Sequence, residues 1–475
     1  MTRSTRPPTP LAPIPPEAHS RSNGWQMELV PIDQIKVPIK ALKPTGPEAI
    51  ALCKGHMQRS GQPRPLIVTD DLVLIDGLDF LVAAKELGWP DIYVAPLSGL
   101  SETDVVILRL ALAKLPYLSD WDEEVLSFDL QTVIKFEPDF IDLTGFQQAE
   151  IDVRLDTEPV GSQTDPADLM PVAPVSGETV SRLGDEFHLG VHKIRCGDSQ
   201  EFCNILILLD GENARAVITD PPYNIPIANN VSGLGKKKHE DFAMAVGEMS
   251  RDTFTKFLST MFFVCKGCLV SGGLFYVFMG RRQLEELLTA ARLSGMKYLD
   301  LAIWDKGSGG MGSFLRSQFE ACGIFKYDDH PHVNNIQLGR FGRYRTNVWK
   351  HPGFATFGKG RAEALASHPT CKPVNLIADI IKDSTKRGDI ILDLFLGAGS
   401  TILAAHRTGR RCYGIEFDPQ YVDIAIRRWE TLSGVDAIHD GTRLTFAELR
   451  LQRLGQQKVP HLVDATSSTE ADNDR

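Results

Sequence analysis

The sequence predicts an α/β protein: a parallel sheet covered on both faces in the second part of the chain, preceded by a small α+β region. Three observations predict it. Between about residues 183 and 455, apolar strand-like runs alternate with helical patterns, as parallel sheets flanked by helices do. Two of those runs end in an acid followed by a Pro- or Gly-containing turn, Asp220-Pro-Pro-Tyr223 and Asp393-Leu-Phe-Leu-Gly-Ala-Gly399. Between about 25 and 116, shorter strands and helices alternate, with Asp70-Asp71 at the turn of one hairpin.

In chain order, residues 1–24 hold six prolines and no apolar period, and read as a disordered leader. The 25–116 region then runs as a strand and turn (MELVPIDQI), a helix ending at Gly61 and the hairpin PLIVTDDLVLIDG. The helix FLVAAKELGW, the strand IYVAPL and a helical pattern from about Glu102 to Lys114 complete it. Segment 117–158 carries twelve acids against two bases and reads as a solvated acidic helical connector. Residues 159–182, rich in Pro, Ser, Thr and Gly, read as a flexible linker. In 183–455 the strands are RAVITDPPY, GGLFYVFMG, DIILD and RCYGIEFD, with helices STILAAHRTG and PQYVDIAIRRW after the last two. Residues 456–475 read as a disordered tail.

Composition narrows the class. The net charge of −10 over 475 residues argues against a general polyanion binder if the charge is evenly spread. It is not: 117–158 alone sums to −10, whereas 302–361 has nine bases against four acids. No apolar run approaches a membrane span, and the N-terminus lacks the apolar core of a secretory signal. Eight scattered cysteines fit a reduced, cytoplasmic setting, and Cys265 and Cys268, within FFVCKGCLV, read as core residues. No metal site is expected.

The two turns carry the chemistry. Two prolines fix Asp220–Tyr223 and remove backbone donors, leaving a carboxylate and a carbonyl to accept the hydrogens of an exocyclic amine. Tyr223 offers a ring on which a planar base can stack. At Gly397 and Gly399 the backbone can approach a ligand closely, and Glu416, ending the next strand, is placed to accept hydrogen bonds from ribose hydroxyls. The third glycine of G-x-G-x-x-G is absent because residue 402 is Ile, which disfavours a nicotinamide oxidoreductase.

From about Leu183 to Trp429 the chain resembles the amino-methyltransferases that modify adenine N6 or cytosine N4 in DNA. The resemblance rests on Asp220–Tyr223 in its adenine-typical form, Phe395-Leu-Gly-Ala-Gly399 for F-x-G-x-G, His368-Pro-Thr-Cys-Lys-Pro373 for H-P-T-Q-K-P, and Gly197-Asp198. The catalytic motif precedes the cofactor motif, the permuted order of the beta class. The resemblance implies a Rossmann-like fold and S-adenosylmethionine as methyl donor. It makes Asp220, Pro221, Pro222 and Tyr223 catalytic. It places Asp393, Phe395, Gly397, Gly399 and Ser400 along the cofactor, Glu416 on its ribose and Asp198 on its adenine amino group. Thr370, Lys372 and Asn375 would lie near its methionine end, and Cys371 replaces the usual Gln.

The stretch 302–361 occupies the target-recognition position, and its GRFGRYRTNVWKHPG interleaves bases with aromatics. Arg340, Arg343, Arg345 and Lys350 are the expected DNA contacts. Lys236–Lys238 follow the catalytic turn and suit phosphate equally well or plain solvation.

Residues from about 27 to 115 resemble the N-terminal domain of ParB/sulfiredoxin-type proteins, through Pro31-Ile-Asp-Gln-Ile35, Pro65-Leu-Ile-Val68 and Leu74-Ile-Asp-Gly77. The family's G-x-R-R box reads Gly77-Leu-Asp-Phe80, so the likeness implies the fold but neither nucleotide hydrolysis nor nuclease activity. The expected whole is a bacterial or phage adenine-N6 methyltransferase acting on double-stranded DNA. A homodimer and a restriction endonuclease partner are compatible with the family. A cytosine-N4 or RNA methyltransferase, or a non-catalytic DNA-binding partition or regulatory protein, are the alternatives.

Overall fold

The computed structural model describes residues 27–38, 45–155, 165–168, 179–224, 247–307, 309, 315–340, 343–353 and 371–455. The expectations for the leader, the tail, Lys236–Lys238 and Thr370 lie outside the described residues. The chain divides into two units, up to Gln147 and from Gln148 onward.

The first unit holds β1 (Glu28–Pro31), α1 (Pro47–Ser60), β2 (Leu66–Thr69), β3 (Leu74–Asp76), α2 (Leu78–Glu86), β4 (Asp91–Leu97), α3 (Glu102–Lys114) and α4 (Glu123–Phe136). Its sheet runs β1-β4-β2-β3. The β2–β3 pair is the antiparallel hairpin expected around Asp70-Asp71, and β2 lies parallel to β4. Leu66, Val68, Leu81, Ile92 and Val94 are buried between this sheet and α1 and α2. Gly77 has φ 100°, and a Cβ there would meet Leu66 Cδ2 at 2.7 Å, so the turn into α2 requires glycine.

The acidic segment opens on a helix. Asp122 caps α4 by accepting from the Glu124 and Val125 amides, and Glu123 and Glu124 sit in the first turn, where the helix dipole favours anions. It does not continue as one solvated connector. A 3-10 turn, Pro138–Thr144, follows, and His56 Nε2 lies 2.8 Å from the Leu143 carbonyl. The next helix, α5 (Gln148–Leu155), belongs to the second unit. There Asp152 is 2% exposed and paired with Arg410 at 2.7 Å, so at this position a charge read as surface is buried.

The second unit continues with β5 (Glu186–Leu189), β6 (His192–Cys196), α6 (Phe202–Leu209), β7 (Ala214–Thr219), α7 (Arg251–Lys266), β8 (Leu269–Met279), α8 (Leu284–Leu293), β9 (Lys297–Asp305), β10 (Phe319–Lys326) and β11 (Val348–Lys350). It closes with α9 (Val374–Ser384), β12 (Ile390–Asp393), α10 (Ser400–Thr408), β13 (Arg411–Glu416), α11 (Pro419–Ser433), β14 (Ile438–His439) and α12 (Phe446–Leu454). Helix ends follow local chemistry. Asp418 accepts from the Gln420 amide before Pro419 at the first position of α11, and Gly409 ends α10 in the left-handed region.

The sheet order is β11-β9-β10-β8-β7-β12-β13-β6-β5-β14. The five strands from β8 to β6 are parallel, as predicted. Its flanks include antiparallel pairs, β10 with β8 and β9 on one side and β5 with β6 and β14 on the other; β5 and β6 form a hairpin across the two-residue connection 190–191. Alternation splits the strand residues between two cores. Ala216, Ile218, Tyr276 and Phe278 face α9, α10 and α11, while Val217, Phe275 and Val277 face α6, α7 and α8. Cys265 and Cys268 are buried in the second core, as their apolar context predicted.

The chain leaves β7 toward β8 and leaves β12 toward β13, its neighbour on the opposite side. The crevice between β7 and β12 is therefore the topological switch point, where ligands of open α/β sheets bind beyond the carboxyl ends of the strands.

The predicted linker is partly anchored. Arg407 grips the Asp165 carboxylate with both Nη1 and Nη2, Asp168 Oδ1 accepts from the Val374 amide at 2.9 Å, and the Ala167 carbonyl accepts from Arg428 at 2.9 Å. Asp423 takes the Val180 and Ser181 amides at 2.8 and 3.0 Å. Composition registers small and polar residues but not these distant partners.

Candidate active site

A cavity of about 340 Å³ opens at the switch point, within the usual range for small-molecule sites. The ends of β7, β12 and β13 bring Asp220, Asp393 and Glu416 to it. Phe395, Gly397, Ser400, Pro221, Pro222, Tyr223 and Lys372 line it too.

Glu416 lines the cavity beside the Phe395–Ser400 turn. Its Oε2 accepts from the Gly397 amide at 2.7 Å and its Oε1 from the Asp418 amide at 2.8 Å. Burial pushes its pKa up to about 7, with those amides opposing. Asp393 is spent internally. Thr219 Oγ1 donates to it at 2.9 Å, Thr401 Oγ1 at 2.6 Å and the Phe395 amide at 3.2 Å, so it fixes the turn. Burial raises its pKa to about 6.

Gly397 and Gly399 have φ 53° and 82°, and a Cβ on Gly399 would stand 2.7 Å from Ala425 Cβ and 3.1 Å from its Cα. Gly399→Ala should therefore cost about 1–3 kcal/mol, seen as an earlier urea midpoint, because neither the left-handed φ nor the α11 backbone can give way.

A second cluster centres on Lys372, which is buried. Its Nζ contacts Asp220 Oδ2 and lies 3.1 Å from Glu320 Oε2, and Lys306 Nζ meets Glu320 Oε1 at 3.1 Å. The Tyr223 hydroxyl donates to Asp220 Oδ1 at 2.6 Å, with Glu320 Oε2 at 3.2 Å. Burial pushes the Asp220 carboxyl up against the pull of Lys372. Burial would also raise Glu320, but Lys372 and Lys306 hold it at about 2. Burial alone would lower Lys372; Asp220 and Glu320 keep it above the usual lysine range and charged.

Glu320 was not singled out by the sequence reading, which counted it only among the charges of the basic stretch. It opens β10, opposite Trp304 near the end of β9, and because β10 runs antiparallel to β8 and β9 its first residues stand beside their last. No local motif encodes that placement.

Several expected contacts fall elsewhere. Asn375 does not line the cavity; its Oδ1 accepts from Arg407 at 3.3 Å. The Asp198 carboxylate takes the Gln200 amide at 2.8 Å, while its neighbours Gly197 and Ser199 line the cavity. Cys371 Sγ stands 3.1 Å from Ser400 Oγ.

Arg343 and Arg345 do not form an open DNA surface. They are 10% and 16% exposed and share Asp383 at 2.7 and 3.0 Å, and Arg345 also meets Asp379 at 3.2 Å. Both acids lie on α9, so the pair clamps the stretch to the second unit. Arg340 and Lys350 are exposed.

Residues 214–427 match a family model described as DNA methylase, of the N6/N4 methyltransferase type. That span contains Asp220–Tyr223, Phe395–Ser400 and Glu416. The chain is 24% identical to the Type II methyltransferase M.HpaI of Haemophilus parainfluenzae over 247 residues, 49% of this chain and 73% of that protein. It is 51% identical to the Type II methyltransferase M2.DpnII of Streptococcus pneumoniae over 106 residues, 22% of this chain and 36% of that one. Among solved structures, a PvuII DNA methyltransferase described as cytosine-N4-specific aligns at 17% identity, with a TM-score of 0.41, over 56% of this chain and 94% of its own. The chromosome-partitioning protein ParB of Caulobacter crescentus aligns at 14% identity, with a TM-score of 0.24, over 27% of this chain and 76% of its own. The motifs behind the resemblance to DNA amino-methyltransferases, Gly197-Asp198 excepted, thus lie within the matched span. Among the described residues no helix is long and apolar enough to cross a membrane.

Proposed function

We propose that this chain methylates the N6 amino group of adenine in double-stranded DNA, with S-adenosylmethionine as donor. One observation carries the reading: the Asp220–Tyr223 turn and the Phe395–Ser400 turn with Glu416 line a single cavity at the switch point of the sheet.

The residues fit the donor. Glu416 is anchored by two amides and keeps lone pairs for ribose hydroxyls, and the turn backbone approaches closely at Gly397. S-adenosylmethionine supplies a methyl group already activated on a sulfonium. The chain then has to position and polarise the acceptor. A base inside a duplex is out of reach, so it is everted, at a cost of a few kcal/mol that stacking on Tyr223 partly offsets. Asp220 and the Pro221 carbonyl accept the two amino hydrogens, which leaves the nitrogen lone pair directed at the methyl group. Lys372 and the Tyr223 hydroxyl hold Asp220 until the amine arrives, and Glu320 keeps Lys372 paired when that contact is exchanged. No covalent enzyme intermediate is required.

Incubation with labelled S-adenosylmethionine and plasmid DNA, then digestion to nucleosides, tests the proposal. Label in N6-methyladenine supports it. Label in N4-methylcytosine moves the base, and no label overturns it.

Cofactor affinity should depend on pH. Ribose hydroxyls bond best to ionised Glu416, so binding favours loss of its proton. Affinity should climb roughly tenfold between about pH 6 and pH 8, through the value near 7, then flatten. Glu416→Gln should remove most of that slope in calorimetric titrations. In the cofactor-free protein the sign is opposite for stability: a carboxyl raised from 4.5 to about 7 favours folding below 4.5, and that contribution is lost as the pH rises through 7.

A further inference from the structure

Four residues of the cavity wall, Gly280–Gln283, follow the end of β8 and carry no role in the chemistry above. Arg281 and Arg282 are both exposed and both line the cavity, and among the described residues neither has an ion-pair partner. This contrasts with Arg343 and Arg345, whose charges are consumed by Asp383 and Asp379. In the same turn, Gln283 Oε1 is buried with no hydrogen-bond partner, an arrangement that is costly unless a ligand completes it. The turn also packs against the Tyr223 ring: a Cβ on Gly280 would stand 3.1 Å from Tyr223 Cδ2 and 3.2 Å from Gln283 Oε1.

Strand order says which ligand the turn faces. β8 is two strands from β12 and three from β13. At the usual spacing that is roughly 10 and 14 Å, on the far side of Asp220 from Glu416. The turn therefore belongs to the acceptor half of the cavity. An anion there that accompanies a base on Tyr223 is a phosphate of the same strand.

We propose that Gly280–Gln283 is a grip for the everted nucleotide and its strand, with Arg281 and Arg282 on the flanking phosphates and Gln283 Oε1, beside the Tyr223 ring, accepting an N–H of a neighbouring base. The proposal rests on the methyltransferase reading for the identity of the strand, but its test needs no turnover.

The full-length chain and its Arg281→Gln/Arg282→Gln variant are titrated into a fluorescein-labelled duplex of mixed sequence at several salt concentrations. Each lost phosphate contact should lower the slope of log affinity against log salt by about 0.9, so the double variant should lose about 1.8 and bind about tenfold more weakly at fixed salt. S-adenosylmethionine affinity should stay as in the wild type. Gln283→Leu should weaken DNA binding while leaving the melting temperature unchanged or higher, because it removes an unpaired buried acceptor; a purely structural glutamine would lower it. An unchanged salt slope in the double variant overturns the proposal, as does a matching loss of cofactor affinity, which would put the arginines on the donor side. Absence of methyl transfer by the wild type is a separate result and counts against the proposed function alone.

Discussion

Asp220→Ala should lose methyl transfer by at least about a thousandfold while still binding S-adenosylmethionine with near wild-type affinity. The separation is expected because Asp220 stands at the end of β7, across the switch point from the Gly397 and Glu416 contacts. In the proposed reaction its carboxylate accepts one amino hydrogen, so its loss would leave the amine free to rotate and its lone pair undirected. The substitution also leaves Lys372 with Glu320 as its remaining carboxylate partner, so some stability is lost as well. Asp220→Asn serves as the companion variant. It keeps the volume, and one amide oxygen can still accept, so it should fold better and be impaired less. Initial rates with labelled donor, calorimetric cofactor titration and a melting curve on each variant make the comparison. Normal turnover in Asp220→Ala would refute the catalytic assignment.

Arg410→Met should destabilise the protein by about 3–5 kcal/mol. Arg410 is 1% exposed, and each of its five N–H donors has an acceptor. Two go to the Asp152 carboxylate at 3.0 and 2.7 Å, and the others to the Thr385 hydroxyl, the Thr385 carbonyl and the Thr408 carbonyl. Removing the cation strands a buried carboxylate, with Arg387 left as a partner at 3.3 Å. Arg410→Met/Asp152→Leu should recover much of the loss, since neither charge is then buried. Urea unfolding of the wild type, the single and the double variant measures this. A single-variant loss below about 1 kcal/mol would mean that the pair does not pin α5.

The parts of this molecule that were legible in the sequence are those encoded locally. An apolar run ending in Asp-Pro-Pro-Tyr has to be a strand meeting a rigid turn. Gly397 and Gly399 mark a backbone that L side chains would strain, and the strand ending at Glu416 follows at the expected interval. These three elements place the carboxylates and turns of the cavity without any tertiary information. Helix α3 was bounded correctly because Ser101 and Asp104 form a capping box around its start.

What escaped the reading depends on pairing across long sequence distances. Glu320 reaches the site through the direction of β10, which periodicity does not reveal. Arg343 and Arg345 have the composition of a nucleic-acid surface, yet Asp379 and Asp383, one helical turn apart on α9, claim both. Asp152 read as one acid among twelve, and its burial is set by an arginine 258 positions away. Charge counting assumes that exposure is the default; each of these residues departs from it through a partner in another element.

The anchored pieces of the predicted linker bear on how this protein could be divided. A strand-based boundary would place the cut near residue 183, ahead of β5. A fragment starting there would lack Asp152, Asp165 and the Ala167 carbonyl, and so leave three arginines in the body of the sheet domain with partners missing. Arg428 also holds the Ala398 carbonyl of the glycine turn at 2.6 Å, so the missing segment is linked through one side chain to the Phe395–Ser400 wall of the cavity. The compact second unit begins at Gln148 and so contains all three partners. A fragment that keeps all three arginines paired must reach back at least to Asp152, well ahead of the first strand of its sheet.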